Sequence, residues 1–336
     1  MRIEDNNSVA LSIDAIRVVR PKKKLVLVDD FDAVHCTSFN AHILKKMMGI
    51  ETVNVLPEGE PHEALMMPLV SLSSEDTSEE YGNDVELRSA NTGAMRAQFG
   101  QSVDRALARI HNLTPLGLSN ANRCVSLFKQ LDMIARSAPA PRQYCIHNTE
   151  LAFSKEMRIT RGLSVQGDSN TSLRLSHTDA PKIQVSSVHL HYDRRFARGI
   201  WGDNVETKAY EENYRQNMHQ VIHRALDKAG VTLSQIDHLL PHNINIKSWR
   251  FLCQSLDVSE SRLFSRNIQT EGHCFCNDMV INLSDALEAF AHEDTPPTAE
   301  NPLRFLAVAA GAGGMFGACV LDVIQLEGLR NERHAI

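Results

Sequence analysis

A cysteine acts as a nucleophile through its thiolate, and Cys124 stands where a helix should begin. It lies in Asn120-Ala121-Asn122-Arg123-Cys124-Val125-Ser126, just ahead of a run in which Val125, Leu127, Phe128, Leu131, Ile134 and Ala135 recur at helical spacing. The partial positive charge at a helix N-terminus favours the thiolate, and Arg123 could add to that field. A lone cysteine is more commonly a buried structural thiol. Position alone therefore leaves both roles open.

Three other segments could supply the remaining parts of such chemistry. In Glu271-Gly272-His273-Cys274-Phe275-Cys276-Asn277-Asp278, His273 would be a base of defined tautomer if the loop folds back and Asp278 orients the ring. Pro241-His242-Asn243-Ile244-Asn245 follows an apolar run, which places His242 at the end of a strand, where α/β folds carry functional groups. Gly311-Ala312-Gly313-Gly314 separates two apolar runs, and its backbone N–H groups could face an oxyanion. Each is weak by itself, since a single histidine is usually a satisfied polar residue.

Other polar groups have plainer readings. Cys145 and His147 alternate onto one face of an expected central strand, as core or near-site residues. His189 and His191 also share a strand face, but no third ligand accompanies them, and Cys274 and Cys276 lack the second pair that structural zinc needs. No metal is expected. Trp201 and Trp249 read as packing residues, and Lys22-Lys23-Lys24 reads as a solvated strand start, with a nucleotide phosphate as the alternative contact.

Positioning these groups requires strands and helices in alternation, which points to a layered α/β fold. Strands are expected at Leu25–Val28, Val165–Leu175, Ile183–Leu190, Ile236–Leu240, Phe305–Ala310 and Ala318–Ile324. Helices are expected at Ser102–His111, after Cys124, at Asn213–Ala229 and at Ile281–Ala291. Ser71–Asn83 and His292–Asn301 read as polar surface loops, as does His177–Pro181 between two strands.

The chain has 336 residues, 43% hydrophobic and 23% charged, enough for one large domain or two closely packed halves. Its net charge of −6, with both signs interspersed, offers no basic face for nucleic acid. No run nears the ~18 apolar residues of a membrane span, and the opening MRIEDNNSVAL lacks a signal-peptide pattern. A soluble cytoplasmic protein is expected, its seven scattered cysteines reduced.

The order of these motifs, over about residues 95–325, resembles the ketoacyl-ACP synthase III family of the thiolase superfamily. HLLPHNINIKSW (238–249) looks like that family's histidine loop, and TEGHCFCND (270–278) takes the place of its Gly-Asn loop. AAGAGGMFGACVLDV (309–323) resembles its final glycine hairpin, and GLSVQGDSNTSLRL (162–175) with IQVSSVHLH (183–191) resembles its Gly-Asp strand crossing. NANRCVSLFKQLDMIAR (120–136) falls where the family carries its nucleophile. The first ~90 residues match poorly.

The resemblance implies a thiolase fold, with two pseudo-symmetric halves of mixed sheet and helix in five layers (αβαβα). Residues 1–176 would form the half carrying Cys124, and residues 177–336 the half carrying the catalytic histidines. It implies an acyl group carried on Cys124, with His242 on the family's catalytic histidine and Asn245, Lys247 and Trp249 near the substrate. The Cys124 amide and that of Gly313 or Gly314 would hold the thioester carbonyl. The donor would be a phosphopantetheine-linked acyl-ACP or acyl-CoA, a substrate rather than a resident cofactor. A homodimer or related heterodimer is implied as well.

One departure decides the expected reaction. His273 occupies the family's asparagine position. Either His242 and His273 form a Cys-His-His set and decarboxylative condensation survives, or His273 pairs with Asp278 as a Cys-His-Asp triad. The triad would activate a hydroxyl or amine acceptor against the Cys124 thioester, in the manner of synthase III-like acyltransferases of natural-product pathways. The Gly-His-x-x-x-x-Asp spacing favours the triad, because a carboxylate strengthens an imidazole base. A non-catalytic partner subunit is the remaining alternative, although Cys124 is retained.

Overall fold

The computed structural model describes residues 9–57, 85–91, 113–115, 120–136, 143–152, 154, 156, 158–160, 162–290 and 296–336. The helix expected at Ser102–His111, the polar stretch Ser71–Asn83 and part of His292–Asn301 fall outside them.

In the first part of the chain the strands are β1 (Ala10–Arg20), β2 (Lys24–Val26), β3 (Thr52–Asn54), β4 (Val85–Asn91), β5 (Leu113–Pro115), β6 (Gln143–Glu150), β7 (Ile159–Thr160), β8 (Ser164–Val165) and β9 (Ser169–Thr178). Then follow β10 (Ile183–Tyr192), β11 (His238–Pro241), β12 (Leu303–Ala310), β13 (Met315–Val323) and β14 (Arg330–Ala335). The helices are α1 (Ser38–Ile43), α2 (Ser126–Ala135), α3 (Asn204–Ala229), α4 (Ile246–Leu256), α5 (Arg266–Thr270) and α6 (Asn277–Phe290).

Among the described residues ten strands form one mixed sheet in the order β11-β12-β13-β10-β1-β9-β6-β4-β5, with β14 paired to β1. The arrangement repeats about the β1–β10 junction. Outward from β1 come β9, antiparallel, then β6, antiparallel, then β4, parallel. Outward from β10 come β13, β12 and β11 with the same three orientations. In chain order the units are β1-β4-α2-β6-β9 and β10-β11-α6-β12-β13, so α2 and α6 hold equivalent places. β9 runs through Thr178, and the turn 179–182 separates the two units.

Strand alternation builds two apolar layers. β12 sends Phe305, Ala307 and Ala309 into one and Leu306, Val308 and Ala310 into the other. The first layer holds α2 through Leu127, Phe128, Leu131 and Ile134, and α6 through Met279, Val280, Leu283 and Leu287. The second holds α3 and α4, through Val221, Ile222 and Trp249 among others. Every residue from Asn277 to Leu287 is buried, so α6 is a helix enclosed on all sides. Its polar members are hydrogen-bonded: Asn277 alone donates to the Asn148 and Ser169 carbonyls and accepts from Thr171 Oγ1.

Two helix starts differ from expectation. α3 begins at Asn204 rather than Asn213, because Asp203 and Glu206 form a reciprocal capping box that starts the helix through a stretch without apolar periodicity. α6 begins at Asn277 rather than Ile281 because its polar first turn is buried and bonded rather than solvated. The run beginning Lys22-Lys23-Lys24 leads into the short β2, and Lys24 pairs with Glu271 at 3.4 Å.

Candidate active site

Cys124 is the penultimate residue of a 3₁₀ turn, Asn120–Val125, that passes directly into α2. The turn is held by Ser126 Oγ donating to the Arg123 carbonyl and by the Met315 amide donating to Asn122 Oδ1. The second bond brings the β13 end of the glycine loop against the turn that holds Cys124. The Cys124 Sγ, half-buried, lies 3.3 Å from His273 Nε2.

His273 is delivered by a loop that lies along β8. Its amide donates to the Val165 carbonyl at 2.7 Å, and its carbonyl accepts from the Gly167 amide at 3.1 Å. Gly272, at φ 74°, makes that approach possible. A Cβ there would stand 2.7 Å from Val53 Cγ2 and 2.8 Å from the Val165 carbonyl oxygen. On the far side of the ring, His273 Nδ1 meets Asp278 Oδ2 at 2.5 Å. Asp278, in the first turn of α6 and fully buried, also accepts from the Asn243 and Cys274 amides at 2.6 and 2.7 Å. Three donors and the helix N-terminus keep this buried carboxylate compensated. The loop thus folds back, and Cys124, His273 and Asp278 form a continuous line.

Burial works to lower the His273 pKa, but the Asp278 carboxylate and the Cys124 sulfur outweigh it and raise it to about 10. His242 shows the opposite balance. Burial first, and then the neighbouring His273 charge, push its pKa down to about 3, so the ring is neutral near pH 7. Its centroid is 5.8 Å from that of His273, and neither ring nitrogen has a partner among the described residues. The His242 backbone is held by its amide donating to Val308 and by Trp249 Nε1 donating to its carbonyl at 2.8 Å.

Asn282 was not singled out from sequence, yet it braces this loop. One turn beyond Asp278 on α6, its Nδ2 donates to the Pro241 carbonyl and to Asn243 Oδ1. The i,i+4 relation puts both side chains on one helix face, so α6 grips residues 241–243 at two points. A polar pair at that spacing inside an apolar helix was the available signal. Tyr214 of α3 was also missed. Its phenol is raised well above 10 by burial and by the Cys124 charge, and its ring joins those of Tyr210 and Phe316.

The remaining expected groups are placed less directly. Asn245 caps α4: Oδ1 accepts from the Ser248 amide, and Nδ2 donates to the Leu163 carbonyl, so its side chain is committed to the backbone rather than to a substrate. Trp249 is 1% exposed and stacks edge-on to His242 at 5.5 Å, as the support of that ring. Lys247 is exposed on the first turn of α4. The Gly314 amide donates to the Gly311 carbonyl and thereby closes the hairpin, which removes it as an oxyanion donor; Gly313, buried in the same turn, remains. Arg123 faces Glu150 at 3.3 Å, so its charge is paired. Trp201 is 75% exposed, contrary to a packing role, on a short turn that lies against the Cys124 turn. Cys145 and His147 are buried in β6, which lies inside the sheet between β9 and β4 rather than at its centre. His189 and His191 are half-buried on β10, and among the described residues no group of three or more metal-ligating side chains gathers.

Comparison with known proteins shows what the chain and its fold are similar to. Residues 226–323 match the family model for the 3-oxoacyl-[acyl-carrier-protein] synthase III C terminal. A β-ketoacyl-[acyl-carrier-protein] synthase III of Acholeplasma laidlawii is 26% identical over 127 residues, 37% of this chain and 38% of that protein. The match therefore spans well under half of the curated relative. Among solved structures, ChlB3, described as an acyltransferase, superposes with a TM-score of 0.76 at 15% identity, over 95% of this chain and 99% of its own. The 3-oxoacyl-[acyl-carrier-protein] synthase III of Aquifex aeolicus gives 0.70 at 18% identity, over 93% and 99%. The priming β-ketosynthase of the R1128 polyketide pathway gives 0.70 at 16%, over 97% and 99%. The fold is the mixed-sheet α/β thiolase fold of these solved structures. Over residues 226–323 the chain is similar to the C-terminal part of 3-oxoacyl-[acyl-carrier-protein] synthase III.

Proposed function

We propose that this protein is an acyltransferase that moves an acyl group from acyl-ACP or acyl-CoA, through a Cys124 thioester, to a hydroxyl or amine of a small-molecule acceptor in natural-product biosynthesis. The observation that carries the reading is the unbroken Cys124–His273–Asp278 line, 3.3 Å and then 2.5 Å. Cys124 sulfur attacks the donor's thioester carbon while His273 Nε2 holds the thiol proton. Collapse of the tetrahedral adduct breaks the donor C–S bond, and the departing phosphopantetheine thiolate takes that proton. In the second half, His273 Nε2 removes the acceptor's O–H or N–H proton, and the acceptor attacks the Cys124 thioester. The Cys124 C–S bond breaks and the thiolate is regenerated. The Cys124 and Gly313 amides would hold the oxyanion in both halves.

The two repeat units would serve as the nucleophile half and the histidine half, divided near residue 176. The enzyme would act in the cytoplasm as a homodimer or related heterodimer, with no resident cofactor; among the described residues no helix is long and apolar enough to cross a membrane. Intact-mass analysis after incubation with acyl-CoA or acyl-ACP should reveal an acyl adduct that Cys124→Ala abolishes. Absence of an adduct with every donor would overturn the enzymatic reading and leave the non-catalytic partner subunit.

One observation favours condensation as a second reading. His242 is neutral, its ring nitrogens have no partner among the described residues and it stands beside His273, as a donor to an enolate oxygen would. With malonyl-ACP as extender, carbon dioxide release that requires both histidines would select condensation. Ester or amide formation without decarboxylation would select acyl transfer.

A further inference from the structure

Arg123 directly precedes the nucleophile and is only 4% exposed. An isolated guanidinium at that depth would be strongly disfavoured, and Glu150 and Phe275 are among the groups that compensate it. Its Nε lies 3.3 Å from Glu150 Oε2, at the end of β6, and its Cζ lies 3.2 Å from the centroid of the Phe275 ring. Glu150 is buried as well; burial raises its pKa, partly opposed by Arg123 and by the Cys276 thiol, which donates to Oε1 at 3.0 Å. The guanidinium and carboxylate from the nucleophile's side therefore touch two residues of the loop that carries His273.

Phe275 sits at φ 51°, a left-handed conformation that bulky residues adopt only when their surroundings enforce it. Its ring centroid lies 4.7 Å from that of His273 and 3.2 Å from Arg123 Cζ. A short closed circuit results. Cys124 is joined to Arg123 by a peptide bond, Arg123 stacks on Phe275, Phe275 is two residues from His273, and His273 returns to Cys124 at 3.3 Å.

We propose that Arg123 is a positioning residue whose stack on Phe275, anchored by Glu150, clasps the nucleophile's turn to the base's loop and sets the Cys124–His273 distance. The inference rests on the thioester reading of Cys124. Opening the clasp frees the turn and the loop to shift against each other, and a displacement of about 1 Å in such a site costs on the order of a hundredfold in rate.

The test compares Phe275→Leu, Phe275→Tyr and Arg123→Met with the unaltered protein, each verified as folded by near-ultraviolet circular dichroism and thermal melting. Acyl loading of Cys124 from acyl-CoA and from acyl-ACP is timed by intact mass, and alkylation of Cys124 by iodoacetamide is timed beside it. Phe275→Leu and Arg123→Met should slow Cys124 modification by about ten- to a hundredfold, and Phe275→Tyr, which keeps the ring face, should recover to within about threefold. Leucine and methionine variants that react as fast as the unaltered protein would overturn the proposal, as would a tyrosine variant as slow as leucine. If Arg123→Met does not fold, the Phe275 pair decides. If no donor loads even the unaltered protein, the thioester reading fails, and the alkylation rates judge the clasp by themselves.

Discussion

Replacing Asp278 with asparagine should separate the triad from every neighbouring arrangement. The change is isosteric, so shape and packing around α6 are preserved. Asp278 accepts from His273 Nδ1, the Asn243 amide and the Cys274 amide, and an asparagine has one acceptor oxygen for these three donors. Oδ2 receives both His273 Nδ1 and the Asn243 amide, and Oδ1 receives the Cys274 amide, so the oxygen takes the Oδ2 place and the new NH2 group opposes the Cys274 amide. That opposition loosens the loop that carries His273. Loss of the carboxylate charge also lets burial draw the His273 pKa downward by about 1–3 units, on the order of 1.4–4 kcal/mol less stabilisation of the imidazolium. Acyl transfer should fall by about a hundred- to ten-thousandfold, with acyl loading reduced too and the bound-donor KM changed far less than kcat. Stopped-flow release of CoA thiol would follow loading, and product mass would follow transfer. A folded Asp278→Asn protein that transfers within about threefold of the unaltered rate would refute the triad.

Other perturbations have equally definite signs. His242 is held neutral with a pKa of about 3 against its usual 6.5, so between those values the unfolded chain binds a proton that the folded protein refuses. Stability should therefore fall as pH drops through that window, by up to about 1.4 kcal/mol per pH unit from this group. Denaturant titration from pH 6 to 4 should show a shallower slope in His242→Gln, and an unchanged slope would dismiss the assignment. His273 acts in the other direction: its stabilisation, complete below its usual 6.5, should be lost as pH rises toward about 10, and His273→Ala should flatten that alkaline limb. Gly314→Ala would place a Cβ 2.2 Å from the Asp193 carbonyl oxygen at φ 81°, so a loss above about 1 kcal/mol is expected, visible as a lower melting temperature. Asn282→Ala leaves the Pro241 carbonyl and Asn243 Oδ1 without their shared donor and should cost about 1–3 kcal/mol, with slower transfer as the 241–243 segment loosens.

Much of the site was legible because its parts are local. Cys124 precedes an amphipathic run, and Asp278 follows His273 closely enough for one loop and one helical turn to join them. Contacts between distant segments were not legible. Nothing in the spacing links Arg123 to Glu150 or to Phe275, and nothing in Pro-His-Asn indicates that Asn243 lends its amide to Asp278. Asn245 was read for its type, but a polar residue at the mouth of a helix answers first to the helix's free amides, and the Ser248 amide claims it. Gly314 fails as an oxyanion donor for a similar reason, since a tight hairpin consumes one of its own N–H groups and sequence does not reveal which. The Asp203–Glu206 box was readable as a helix start and would have recovered the first turns of α3.

The repeat of β1-β4-α2-β6-β9 as β10-β11-α6-β12-β13 has a consequence for how activity is acquired during folding. One copy contributes the sulfur and the other the imidazole with its carboxylate, each at the head of the equivalent buried helix. Neither copy holds a reactive pair by itself. On the thioester reading, chemistry would begin only once the duplicated units dock along their common seam, and turnover would report on that closure inside a single chain. A molecule with one unit intact would then be silent, its thiol apart from the His273 ring.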